Sequence, residues 1–300
     1  MAVKVAFAGE AMIEMARQGD DARLGVAGDV YNSAVYLRRL MPEADVRLVT
    51  ALGDDPYSNR IAKAVVDAGL SEAGLRRVTG ATCGLYAIDT DDAGERRFTY
   101  WRSVSAARGL FSKESDFDAV ADCDVVVLSG ITLAIMQDSA REALVSWLTA
   151  ERGRGGRVAF DSNYRPALWS SRDVAATWCE RLWRICDFAF PSVDDEQALF
   201  GDASSDAVLK RFIDYGVGGG ALKAGSDGAF LLGDVSGQVP TPPVTRVVDT
   251  TAAGDSFNAG FLAAALRGAA PEDCARAGHA LAGKVIQHRG AILPQGVEIY

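Results

Sequence analysis

Apolar positions alternate between two spacings along this chain. Short, nearly continuous apolar runs at residues 3–7, 46–51, 125–128, 157–160 and 188–190 predict buried strands of the parallel type. Between them, apolar residues recur at helical spacing, as at Val30, Ala34, Leu37 and Met41, predicting helices over 30–41, 57–68 and 139–151. Strand and helix entries carry the expected punctuation: Gly53-Asp-Asp-Pro56 places a cap and a first-turn proline ahead of the second helix. Residues 83–90 and 95–102 break the alternation. They flank the turn Asp91-Asp-Ala-Gly94 and predict a β-hairpin rich in Tyr, Phe and Trp. Near the end, an apolar β-like run, Val244-Thr-Arg-Val-Val248, gives way to helices over 252–267 and 271–287. The whole reads as an α/β fold with a mostly parallel sheet and a small β-flap beside it.

Composition narrows the function. Three hundred residues, 49% hydrophobic and 24% charged, are enough for one large domain. A formal net charge of −9 argues against a nucleic-acid or anionic-membrane surface, so any anion must be held by local donors. No stretch is long and apolar enough to span a bilayer, and the expected location is the cytoplasm. Cys83, Cys123, Cys179, Cys186 and Cys274 form no C-x-x-C pair, and with only His279 and His288 in the chain no zinc-type cluster can be built.

The chemistry gathers where Asp249-Thr-Thr-Ala-Ala-Gly-Asp255-Ser-Phe257 opens a helix. A helix start leaves backbone N–H groups without intrahelical partners and attracts anions. Small residues at Ala252, Ala253 and Gly254 let a phosphate approach them, and Asp255 stands ready to accept a proton from an attacking hydroxyl. Capping by Asp249 and a dipole-complementing first-turn acid at Asp255 explain the same short pattern. Other candidates lie at predicted strand ends. Asp161-Ser-Asn163-Tyr-Arg165 offers a guanidinium fork for a carboxylate or phosphate, or else a structural Asp161–Arg165 pair. Asp194, Asp195 and Glu196 either help hold hydrated magnesium or complement a helix start. Lys223-Ala-Gly225-Ser226-Asp-Gly228 is a glycine-punctuated loop without a Walker-type G-K-[ST]; it reads as a nucleotide loop or a tight turn. Gly28-Asp29 marks a loop-to-helix entry near a substrate, or a cap, and Glu14 reads as a solvated loop charge.

Taken together, these motifs resemble the ribokinase-like (PfkB) carbohydrate kinases, whose usual C-terminal signature is D-T-x-G-A-G-D-x-F. Within them the chain is most similar to the bacterial 2-keto-3-deoxygluconate kinases, through Gly9-Glu10, Gly28-Asp29 with Asn32, Gly84-Leu-Tyr86, Tyr100-Trp-Arg102, residues 161–169, Lys223-Ala-Gly225 and residues 249–257. The resemblance implies a three-layer α/β/α fold across residues 1–300, with lid segments at about 22–28 and 81–104. It also implies ATP and Mg²⁺ as co-reactants, K⁺ as a further candidate, and Asp255 as the base beside an anion site at residues 252–254. Gly28, Asp29, Asn32, Tyr86, Tyr100, Arg102 and Arg165 match a sugar-acid site; Asn163, Lys223, Gly225, Ser226, Gly228 and Gly254 match the nucleotide side. Three departures stand out: Ala252 and Ala27 replace glycines, and the N-x-x-E magnesium motif is Ser192-x-x-Asp195.

The implied reaction is phosphorylation of the C6 hydroxyl of 2-keto-3-deoxygluconate, because a neutral sugar would leave Arg102 and Arg165 without a counter-charge. The alternatives are a kinase for fructose, ribose or another neutral sugar, and a non-catalytic sugar or nucleotide sensor. An aromatic flap suits a dimer contact.

Overall fold

The computed structural model describes residues 2–18, 20–90, 96–294 and 296–299. The expected turn at Asp91–Gly94 lies outside these residues. The central sheet holds nine strands. From one edge they run Gln238–Val239, Ala229–Gly233, Gly219–Lys223, Phe188–Phe190, Arg157–Asp161, Val125–Ser129, Lys4–Ala8, Asp45–Leu52 and Leu75–Arg77. Pairing is parallel from Leu75–Arg77 across to Gly219–Lys223, and antiparallel on both sides of Ala229–Gly233.

Period-two alternation explains why the central strands are apolar throughout. Val5, Phe7, Val125 and Val127 face one core, while Ala6, Ala8, Val126 and Leu128 face the other. The first core is closed by the helices Asp29–Leu40, Pro56–Asp67, Ala253–Leu266 and Pro271–Val285. On the other side, Trp183 packs against Phe160 and Phe212, with ring centroids 4.5 and 4.9 Å apart, under the helices Asp138–Arg152, Arg172–Trp183 and Ser205–Tyr215. Two cores on one sheet make three layers.

The lid is a separate four-stranded sheet in the order Asp21–Ala27, Met12–Gln18, Gly84–Thr90, Arg96–Trp101. Its strand Met12–Gln18 has no counterpart in the sequence reading, which left Glu14 in a loop. Glu14 instead sits on that strand and accepts a hydrogen bond from the Tyr86 hydroxyl. The chain enters the lid directly from the carboxyl end of Lys4–Ala8 and returns through Gly28 into the helix Asp29–Leu40. Lid and strand ends therefore share one edge of the molecule.

Two local expectations are corrected. Residues 244–248 form no strand: Val248 and Asp249 both donate their N–H to the Ile286 carbonyl, at 2.8 and 3.1 Å. Pro240, Pro242 and Pro243 leave the segment before them short of backbone donors for a ladder. The helix after it begins at Ala253, with Ala252 outside it at φ 61°, ψ 18°. That is the left-handed region, which costs a non-glycine residue about 1 kcal/mol or more. The departure from glycine at 252 is thus a matter of backbone strain.

Candidate active site

A cleft of about 1200 Å³ opens between the lid and the carboxyl ends of the parallel strands, where open α/β sheets place their ligands. Arg157–Asp161 delivers Asp161, Asn163 and Arg165 to it; Phe188–Phe190 delivers Ser192 and Asp195; Gly219–Lys223 delivers Lys223, Gly225 and Ser226. The start of the helix Ala253–Leu266 adds residues 252–255, and the helix Asp29–Leu40 adds Asp29 and Asn32 beside Gly28. The lid contributes Tyr86, Phe98, Tyr100 and Arg102. The sequence-derived candidates line this one cleft, Gly228 and Glu196 excepted. Gly228 turns its Cα toward the Val239 carbonyl, where a Cβ would lie at 2.4 Å, so its absent side chain serves strand packing.

Asp255 stands at the helix start. Asn32 Nδ2 donates to its Oδ2 at 2.8 Å, and Ser33 Oγ donates to its backbone carbonyl at 3.0 Å. Burial pushes its carboxyl up to about 8, and the charges of Asp29 and Asp161 add to the effect against the opposing pull of Asn32 and Lys223. A carboxylate tuned toward neutrality is a better proton acceptor than an exposed one.

Lys223 is held at the same edge. Its Nζ donates to Asp161 Oδ2 at 2.9 Å and to Asn258 Oδ1 at 3.1 Å, and Asn258 Nδ2 closes the triangle onto Asp161. The ammonium also lies 3.5 Å from where a Cβ on Gly254 would stand, in ordinary contact distance of that position. Sequence reasoning missed Asn258. The signal available was its spacing, one helical turn beyond Asp255 on the same helix.

The structural Asp161–Arg165 pair is not formed, because Lys223 and Asn258 occupy Asp161. Arg165 reaches Asp195 loosely, at 3.7 Å, and its side chain remains 53% exposed. Arg102 behaves differently. It is buried and ion-paired with buried Glu10, whose carboxyl burial raises and Arg102 lowers. The expectation that Arg102 lacks a counter-charge without substrate is therefore corrected: the chain supplies one. Gly28 also owes part of its identity to Glu10, whose carbonyl would lie 2.4 Å from a Cβ at position 28. Tyr86 presents its ring to the cleft 5.7 Å from that of Tyr100, with its hydroxyl committed to Glu14. Asn163 Nδ2 donates to Asp29 Oδ2 at 2.7 Å.

The bunched acids also separate. Glu196 is buried and pairs with Arg211 at 2.9 Å, away from any metal role. Asp195 faces the cleft and accepts from Ser162 Oγ at 3.1 Å. No group of three His, Cys, Asp or Glu side chains suited to a metal ion occurs among the described residues.

The profile of the pfkB family carbohydrate kinases matches residues 4–296. The chain belongs to that family. Among its kinase relatives, the 2-dehydro-3-deoxygluconokinase of Escherichia coli (strain K12) is 40% identical, covering 98% of both chains. That of Dickeya dadantii (strain 3937) is 41% identical, covering 97% of this chain and 96% of the relative. The crystal structure of the fructokinase with bound ATP from Xylella fastidiosa superimposes with a TM-score of 0.81 at 23% identity, covering 96% of this chain and 93% of that one. Family membership accounts for the cleft: a kinase must seat a nucleotide and an acceptor at once.

Proposed function

We propose that this chain is an ATP-dependent kinase that phosphorylates the C6 hydroxyl of 2-keto-3-deoxygluconate, giving 2-keto-3-deoxy-6-phosphogluconate and ADP. The observation that carries the reading is the placement of Asp255, with raised proton affinity, at a helix start of small residues inside the cleft that also holds Lys223 and Arg165. The near full-length identity to 2-dehydro-3-deoxygluconokinases supports the substrate.

In this mechanism the acceptor lies on the lid side, against Gly28, Asp29, Asn32, Tyr86 and Tyr100, with its carboxylate on Arg165 and the Arg102–Glu10 pair behind it. ATP lies along Asn163, Lys223, Gly225 and Ser226. The C6 oxygen attacks the γ-phosphorus, the bond from that phosphorus to the β–γ bridging oxygen breaks, and Asp255 takes the hydroxyl proton. The N–H groups of Gly254 and Asp255 at the helix start and the Lys223 ammonium face the charge on the transferring group. Magnesium, when bound with the nucleotide, neutralises phosphate charge. Asp195, a cleft-facing carboxylate that belongs to no cluster of three such groups among the described residues, suits an ion held mainly by phosphates and water.

A neutral-sugar kinase is the second reading, favoured by one observation: Arg102 already has Glu10. Coupled measurement of ADP release with 2-keto-3-deoxygluconate, fructose and ribose separates the two. The acid should be preferred in kcat/KM by at least tenfold; equal or better turnover of fructose overturns the sugar-acid reading. Replacing potassium by a bulky cation in that assay tests the K⁺ requirement.

Among the described residues no helix is long and apolar enough to cross a membrane. A cytoplasmic enzyme is the reading that suits ATP chemistry and five free cysteines. Trp101, on the lid face opposite Tyr100, and Val104 are 55% and 82% exposed. A homodimer through the lid would cover them, and light scattering of wild type against Trp101→Glu reads it out.

A further inference from the structure

The helix Asp29–Leu40 begins at the cleft wall, and its first turn presents Asp29 and Asn32 there, at positions i and i+3 of one face. Buried Asn32 grips one carboxylate oxygen of Asp255, and Ser33 from the same turn holds the Asp255 carbonyl. Asp29 is itself anchored, through Oδ2, by the Asn163 amide arriving from the strand end opposite. Two side chains on one turn thus address one carboxylate with opposite electrostatic sense.

We propose that this turn is a positioning device for Asp255: Asn32, donating to one of its carboxylate oxygens, aims the group into the cleft, while Asp29 on the same face of the turn sets a second carboxylate at the same cleft wall. Asn32 and Asp29 are positioning residues here, acting through Asp255, and the inference rests on the reading of Asp255 as the base.

The other groups around Asp255 do not supply this balance. From the helix Asp29–Leu40, one turn beyond Asn32, comes Tyr36, and from the lid Tyr86; burial holds both phenols above their ordinary range, so they stay neutral. From the strand ends come Asp161 and Lys223, which pair with each other at 2.9 Å, so their fields at Asp255 largely cancel. Asp29 is left as the uncompensated charge, and Asn32 as the side-chain donor. Removing a neighbouring like charge makes a carboxylate ionise more easily, and removing a hydrogen bond to the anion makes it ionise less easily.

The test is the pH profile of kcat/KM for the acceptor, measured on the full-length enzyme with ATP and Mg²⁺. Wild type, Asp29→Asn, Asn32→Ala and Asp255→Asn are compared, with thermal melts to show that each is folded. Asp29→Asn should move the acid limb down by about one pH unit and Asn32→Ala should move it up by about one. Asn32→Ala should therefore lose about tenfold at pH 7 and recover most of it by pH 9. Limbs coincident with wild type, with KM raised or the melt lowered instead, overturn the inference, because a substrate contact or a packing role does that. Asp29→Asn is nearly isosteric and tests the same claim alone if Asn32→Ala does not fold. The two levels separate through Asp255→Asn. If that variant keeps wild-type rates, the base reading falls and takes this inference with it. If it is inactive while the other limbs stay put, only the positioning role is lost.

Discussion

Lys223 and Asp161, at the ends of two strands separated in the sheet by Phe188–Phe190, meet at 2.9 Å inside the cleft. Each is nearly enclosed, with 13% and 12% of its side chain exposed. A buried pair of this kind is weak evidence for stability as a whole, yet breaking it strands a charge. Lys223→Met should therefore do two things at once. It should lower stability by about 3 kcal/mol, read by chemical denaturation, because Asp161 loses its cation and keeps only neutral donors, the Asn258 amide and the Asn163 N–H. It should also raise the KM for ATP, because the anion site loses its ammonium. Lost ATP affinity with an unchanged denaturation midpoint would show that Lys223 serves only the nucleotide.

Asp255 carries the clearest pH prediction. Its folded carboxyl is pushed up to about 8, against 3.8 for the free group. Between those values the native chain holds a proton that the unfolded chain has released, so the group's contribution to stability falls as pH rises from about 4 to 8. Asp255→Asn removes that slope. The variant should melt a few degrees higher than wild type at pH 8 and close to it at pH 4, while turnover drops by at least a hundredfold. Melting curves at the two pH values, beside the coupled assay, decide it.

The same residues show how far the chain can be read without coordinates. Lys4–Ala8, Val125–Ser129 and Arg157–Asp161 were legible because strands buried on both faces are apolar throughout, and Asn163 and Arg165 were legible because they follow the last of these directly. Met12–Gln18 was not, since Glu14, Arg17 and Gln18 give it no clean alternation; what holds it is pairing on both sides, to Asp21–Ala27 and Gly84–Thr90. Residues 244–248 failed the other way, as a β-like composition with no neighbouring strand to bond. The Glu10–Arg102 pair was invisible for a different reason. Its members lie at the two roots of the lid, and only the closed fold brings them together.

Arg102 and Arg165 should respond oppositely to truncation. Arg102→Ala leaves Glu10 buried without its cation, at a cost of about 3–5 kcal/mol. Arg165 is half exposed and only loosely paired, so Arg165→Ala should change stability by less than about 0.5 kcal/mol. If Arg165 reads the substrate carboxylate, that variant should lose about 1.5–3 kcal/mol of acceptor binding, at least tenfold in KM, with the KM for ATP unchanged. A full panel is small: unfolding curves for both variants, and KM for the sugar acid and for ATP with Arg165→Ala. An unaltered acceptor KM moves the carboxylate away from Arg165.

Ala252 offers a test in which strain, not chemistry, is altered. At φ 61° it occupies a conformation that glycine adopts freely, and it does so one residue before the helix whose start is proposed to meet the transferring phosphate. Ala252→Gly relieves about 1–2 kcal/mol of left-handed strain and loses about 0.5–1 kcal/mol to the greater freedom of glycine in the unfolded chain. The net should be neutral to about 1.5 kcal/mol stabilising, which equilibrium denaturation resolves at its upper end. Residue 252 has no hydrogen-bonding side chain to lose, so kcat should stay within about twofold of wild type. A destabilised Ala252→Gly would mean that the methyl group, half-buried beside Met12 and Tyr86, contributes more in packing than the backbone loses in strain.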